Sequence, residues 1–242
     1  MIGKEMQRQL TDYDITYYSK SELNPLIYEH IEKIKKLECD VVINLACEKK
    51  HKGSMAQTNV EIPRILAENL KSEILFVQIS SDYVFDGRKF EKYKSDNETN
   101  AVNHYGMTKE LGEIAALERE KSMVIRLSWV ISEDTGFMER IIFQLKHYKF
   151  ANVVVDRYGT PTNIKDIPNA IIECMKSPTY RIKHIAGPDV MSWYQIAKII
   201  QKRKFSDAKV FPILKKDYGC EITPEYTALE SDIDLPSWWE NI

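Results

Sequence analysis

Nowhere in the 242 residues does an apolar run approach the roughly 18 positions a membrane-crossing helix requires. The amino terminus also lacks a charged region followed by an apolar stretch, so no secretory or lipidation signal is expected and a cytoplasmic setting is the default. Charge of one sign is lacking too. Lys and Arg number 34 against 36 Asp and Glu, a formal net charge of -2, which argues against general attraction to nucleic acid or an anionic membrane and towards small-molecule partners. Cys39, Cys47, Cys174 and Cys220 are scattered without the paired spacings of a zinc site or a disulfide framework, and they are read as reduced thiols. The histidines, His30, His51, His104, His147 and His184, are as dispersed, so no metal ligand set is expected. No repeat, low-complexity tract or long Pro/Gly linker divides the chain.

What is present is a rhythm. Short apolar runs rich in β-formers alternate with amphipathic runs: Ile15 to Tyr18, then 26–37, Asp40 to Leu45, Ala56 to Leu70, Ile74 to Ser80, 105–120 and Met123 to Leu127. That alternation predicts βαβ units and an α/β fold, a doubly wound parallel sheet with helices on both faces. The runs 41–45 and 74–79 are nearly continuous in apolar character, as strands buried on both sides are. Beyond Trp129 the expected elements are a helix near 137–147, a strand at 152–155, a helix at 167–176, a strand at 182–186 and a helix capped by Ser192. The division expected is a nucleotide-binding domain over 1–128 and a small interleaved carboxyl-terminal substrate lobe over 129–242, with 152–186 partly packing back on the first.

The first residues already read as a helix, because Ile2, Met6 and Leu10 recur at helical spacing. An α/β domain that holds a dinucleotide should instead open with a strand and a glycine turn, the strand lying at the centre of a 3-2-1-4-5-6 order. Gly3 reads as the last glycine of such a turn. Truncation is the preferred explanation over abandonment of the cofactor, since the downstream chemistry is whole, and the chain as written is expected to bind dinucleotide poorly.

Tyr105 and Lys109 lie four apart where the helical pattern 105–120 opens, which puts both side chains on one helix face. An ammonium about 4 Å from a phenol, at an effective dielectric of about 20, attracts the phenolate by on the order of 4 kcal/mol, roughly three pKa units before burial opposes it. Tyr105 then becomes a candidate general acid or base. The spacing alone is weak, since an ordinary helix with an exposed Lys and a half-buried Tyr shows it as well. It gains weight from Ser80-Ser81-Asp82-Tyr83-Val84-Phe85-Asp86-Gly87, which follows the apolar strand 74–79. Ligands of open α/β sheets bind at the carboxyl ends of strands, so Ser81 is placed to donate to a carbonyl oxygen while Tyr105 supplies a proton. Asp86-Gly87 is read as a tight turn.

The strand-end Ser-Ser-Asp-Tyr-Val-Phe-Asp-Gly followed by Tyr105-x-x-x-Lys109 resembles the dTDP-4-dehydrorhamnose reductase family of extended short-chain dehydrogenases. Further matches run in order: Val42-Ile43-Asn44 with Ala46, Asn59-Val60, Arg126 to Val130, Tyr158 to Thr162, and Ser192-Trp193-Tyr194. The resemblance implies a Rossmann fold and hydride transfer from NADPH or NADH to the C4 ketone of a dTDP-linked deoxysugar, a step of cell-surface polysaccharide synthesis. It assigns catalysis to Ser81, Tyr105 and Lys109, the sugar to Ser81, Asp82, Tyr83 and Trp129, and the cofactor to Gly3, Ala46, Asn59, Tyr105 and Lys109. A dTDP-sugar is the implied partner, with no nucleic acid and no membrane, and room for a homodimer. For Trp129 a place in the core is an equal alternative. The stretch from Ala46 to Gly53 lacks the family's aromatic-Thr segment; its Glu48-Lys49-Lys50 resembles the regulatory β subunit of methionine adenosyltransferase, so a non-catalytic scaffold remains the alternative, with an epimerase or dehydratase of the same fold as a third.

Overall fold

The computed structural model describes residues 1–134, 136–176, 181–218 and 222–240. In chain order its elements are α1 (Ile2–Gln9), α2 (Tyr28–Lys35), β1 (Val41–Asn44), α3 (Lys52–Ala56), a π turn (Gln57–Glu61), α4 (Ile62–Asn69), β2 (Leu75–Ser81), a 3-10 turn (Asp82–Val84) and α5 (His104–Leu117). There follow β3 (Ser122–Leu127), β4 (Val130–Ile131), α6 (Gly136–Tyr148), β5 (Phe150–Val154), β6 (Tyr158–Gly159), β7 (Thr162–Asn163), α7 (Ile167–Lys176), β8 (Ile182–Ile185), β9 (Met191–Ser192), α8 (Trp193–Lys204) and β10 (Lys209–Ile213).

Four of these strands form one parallel sheet in the order β1-β2-β3-β8. Its central strands sort their side chains by the two-residue period of a strand. Val77, Ile79, Met123, Ile125 and Leu127 face α1 and α7, meeting Met6, Leu10, Ile167 and Ile171. Phe76 and Val124 face the opposite way, onto Ile34 of α2, Ile62 and Leu66 of α4 and Ala116 of α5. The sheet is therefore covered on both faces, the doubly wound α/β arrangement that the rhythm of the sequence implies. A separate core joins α6, β5, α8 and β10, with Leu145, Val153, Ile196, Ile200, Val210 and Trp238 at its centre.

Two expectations need correction. Residues 15–18 form no strand. A strand is defined by the neighbour it bonds, and β1 pairs with β2 alone, so among the described residues no strand lies on its other side to receive 15–18. Ile15 and Tyr17 nonetheless pack against the α1 and α7 face. The helix expected over 56–70 starts earlier, at Lys52, and is interrupted by the π turn. Pro63 explains the interruption: it has no N–H to bond the carbonyl four residues back, that of Asn59, and its ring crowds that carbonyl. The helix at 167–176 and the Ser192 cap, by contrast, lie where the sequence places them, and Ser192 and Gln195 complete a reciprocal capping box.

Candidate active site

The carboxyl end of β2 and the first turn of α5 are held together by a short list of local features. Asn103 caps α5 by accepting the Gly106 N–H at 2.8 Å. A Cβ on Gly106 would stand 2.1 Å from the Tyr83 carbonyl oxygen, so only glycine lets the helix press against the 3-10 turn after Ser81. Further along α5, a Cβ on Gly112 would stand 2.0 Å from the Asn59 carbonyl oxygen, so the helix also presses against the π turn there. The helix is locked to the sheet by a buried ion pair, Arg126 of β3 with Glu113 at 2.8 Å, to which Ser80 adds a hydroxyl bond.

This arrangement brings Ser81, Tyr105 and Lys109 to one edge. The Ser81 hydroxyl stands near enough to the Tyr105 phenol to favour its ionised form, and the Cys47 Sγ lies 3.5 Å from the Tyr105 oxygen. Lys109, 3% exposed, donates from Nζ to the Ile79 carbonyl at 2.6 Å. The four-residue spacing predicts that this ammonium lowers the Tyr105 pKa, and here the balance runs the other way. Burial of the phenol, with the Cys47 sulfur and then Asp82 nearby, pushes Tyr105 well above the ordinary tyrosine range, against the influence of the neighbouring Ser81 hydroxyl, which lowers it. Burial also pulls Lys109 down, so its charge is the easier one to lose. Tyr105 is thus a firmly protonated acid.

Asp82, only 3% exposed, accepts from Thr227 at 2.6 Å and from Ser81 at 3.0 Å, with Ser128 at 3.5 Å. Burial raises its pKa despite those bonds. Its oxygens are engaged by the protein, so it is placed as a clasp beside Ser81. The Tyr83 ring meets Tyr105 edge-on at 5.7 Å, and its hydroxyl accepts from the Arg157 guanidinium. Trp129 is not brought to this group by any of its own contacts: 7% exposed, it stacks on Trp193 at 3.7 Å above Gly159, within the second core. Its Nε1 is buried without a partner among the described residues.

On the other side, Ala46 follows β1 and donates its N–H to Asn44 at 3.1 Å. Asn59, turned inward by the π segment, donates to the Glu48 carbonyl and to Thr108 and accepts the Glu48 N–H, which pins the 46–48 stretch to α5. Gly3 sits in the first turn of α1, where a Cβ would meet Leu45 at 3.3 Å. No local sequence pattern ties Cys47, Lys49, Arg157 or Thr227 to this site. Gln78 carried a signal, an amide inside an apolar strand: it accepts from Asn44 at 2.8 Å and donates to the same Ile79 carbonyl that Lys109 bonds. Cys39, Cys47 and Cys174 are free thiols, and Cys220 lies outside the described residues.

The donor chemistry suits one end of a nicotinamide dinucleotide. Lys109 has three N–H donors and places one on Ile79, leaving others for ribose hydroxyls beside the Tyr105 phenol. For the pyrophosphate end this chain offers Gly3 at the head of α1, next to the end of β1, and no other glycine before Gly53.

The chain is similar to known proteins over most of its length. Residues 1–232 match the family described as RmlD substrate binding domain. The spore coat polysaccharide biosynthesis protein SpsK of Bacillus subtilis is 27% identical over 241 residues, covering 94% of this chain and 85% of its own length. A dTDP-4-dehydrorhamnose reductase of Aggregatibacter actinomycetemcomitans is 28% identical over 218 residues, 81% of this chain and 73% of that one. Among solved structures, a dTDP-4-dehydrorhamnose reductase of Clostridium acetobutylicum superposes with a TM-score of 0.91 at 26% identity, over 98% of this chain and 92% of its own.

Proposed function

The chain belongs to the RmlD substrate binding domain family, and from that membership we propose that it is an oxidoreductase that reduces the 4-keto group of a dTDP-linked deoxysugar with NADPH or NADH. The observation that carries the reading is the meeting of Ser81, Tyr105 and Lys109 at the carboxyl edge of β2. A relative named for spore coat polysaccharide synthesis supports a role in building a cell-surface polysaccharide, a setting in which the nucleotide sugar is cytoplasmic. No helix of the described residues is long and apolar enough to cross a membrane. Residues 1–128 are read as the cofactor domain and 129–242 as mainly the substrate lobe, with α7 and β8 returning to the sheet.

In this reading Ser81 donates its hydroxyl to the ketone oxygen and sharpens the positive charge on C4. The reduced nicotinamide, when bound, supplies the hydride. Tyr105 gives its proton to the alkoxide oxygen that forms, so that the ketone becomes a secondary alcohol. Its raised pKa suits a donor, because the proton is still in place at neutral pH. Lys109 holds the ribose and sets a positive charge beside the oxygen where negative charge develops. Asp82 and Thr227 fix the turn that aims Ser81, Ala46 and Asn59 shape the cofactor wall, Tyr83 lies against the sugar, and Trp129 closes the lobe behind it.

The test is turnover of a dTDP-4-keto-6-deoxysugar with NADPH and NADH, using the chain and a form preceded by a strand and glycine turn. Tyr105→Phe is expected to lower kcat by at least about a thousandfold with little change in affinity for the nucleotide. Undiminished turnover in that variant overturns the assignment of the acid. A homodimer belongs to the same reading: α5 exposes Met107, Leu111 and Ile114, 47%, 51% and 55% accessible, along one stripe. Light scattering should return twice the 28.2 kDa chain mass.

A further inference from the structure

Two cations stand at the ends of the aromatic pair that forms this site. Lys49 Nζ lies 5.2 Å from the centre of the Tyr105 ring, Tyr105 and Tyr83 meet at 5.7 Å, and the Arg157 guanidinium carbon lies 5.6 Å from the centre of the Tyr83 ring. Neither cation has a carboxylate within ion-pair distance among the described residues. The acid whose field reaches both, Asp82, is held by Thr227 and Ser81, and burial disfavours its charge. Asp156, next to Arg157 in sequence, accepts the Lys215 N–H. Contact with a ring face attracts a cation but does not neutralise it.

Arg157 is the better defined of the two. It is half-buried, one N–H is donated to the Tyr83 hydroxyl, and its Nε is buried without a partner. Unused guanidinium donors in a fixed fork suit the oxygens of a phosphate. Resting on the reductase reading, we propose that Arg157 receives the diphosphate of the nucleotide sugar and so fixes which way the substrate lies. A hexopyranose carries its anomeric oxygen, and hence the diphosphate, across the ring from C4. With C4 at Tyr105, the sugar spans the Tyr83 ring and its diphosphate falls at Arg157, the end of the row away from Lys49. Arg157 then acts on binding and orientation, and the proton transfer stays with Tyr105.

Calorimetric titration with dTDP and with thymidine separates this from the reductase reading, because neither probe needs turnover. The chain should bind dTDP at least about tenfold more tightly than thymidine, and Arg157→Gln should weaken dTDP roughly 10- to 100-fold while leaving thymidine unchanged. Arg157→Lys, which keeps a point charge without the fork, should fall between. With the keto sugar, KM should rise in Arg157→Gln with kcat held within a few fold. Equal dTDP affinity in the chain and in Arg157→Gln, equal loss for thymidine, or no dTDP binding by the chain itself overturns the proposal. Selective loss of dTDP binding in a chain without reductase turnover upholds the Arg157 assignment and removes the activity assigned above.

Discussion

Cys47 is exposed, yet its sulfur reaches the hydroxyl of Tyr105. An alkyl group on that sulfur would fill the space in front of the phenol. N-ethylmaleimide is therefore expected to abolish turnover, and Cys47→Ala to resist it, as followed by residual NADPH oxidation. Cys174 does not compete, since burial pushes its thiol up to about 12. The pH profile is set by the same crowding. Burial raises Tyr105 and lowers Lys109, so on the alkaline side the ammonium is lost first and the phenol keeps its proton. The fall of kcat/KM with rising pH should consequently begin below the ordinary lysine value of about 10.4, and be assigned to Lys109.

At the scale of the element, α5 carries both Tyr105 and Lys109, and its position on the sheet depends on Glu113. Replacing Glu113 with Ala leaves Arg126, 3% exposed, as a buried cation with no carboxylate. The cost is expected to be about 3 to 5 kcal/mol in urea unfolding. What the sequence made legible follows from range. Tyr105 and Lys109 share a face because helix geometry is local, Ser81 stands at a strand end because the run 74–79 is nearly continuous in apolar character, and Ser192 caps α8 through a residue three positions away. The contacts that complete the site are distant: Cys47 meets Tyr105 across 58 residues, Arg157 meets Tyr83 across 74 and Thr227 meets Asp82 across 145. No local pattern encodes such meetings. The expected strand at 15–18 failed for a related reason, since a ladder needs a second strand and the propensity of Ile15 and Tyr17 cannot supply one. The π turn was in principle readable from Pro63, whose missing N–H disturbs the helix one turn upstream.

For the molecule as a whole, His184 links the sheet to the loop beyond the site. It is fully buried on β8, against Phe85, with a ring nitrogen 3.1 Å from the Tyr93 carbonyl and the Arg126 guanidinium 3.4 Å from the other. Burial first and the Arg126 charge second lower its pKa to about 3. The unfolded chain takes up that proton near pH 6.5 and the folded chain does not, so the contribution of His184 to stability is constant above about pH 6.5 and declines as pH falls towards 3. By pH 5 the loss should reach about 2 kcal/mol, seen as a lower urea midpoint that His184→Gln shows less steeply.

The clasp between Asp82 and Thr227 has a consequence for how the protein is made. Residues 226–229 are threaded between the Tyr93 loop and Tyr158, bonding both. A ribosome that has delivered the whole sheet, through β8, has still not delivered the hydroxyl that steadies the turn aiming Ser81. The scaffold can form during synthesis before Thr227 is made, while the chemistry waits for that residue, and a nascent polypeptide arrested before Thr227 would carry a folded sheet and an unfinished catalyst.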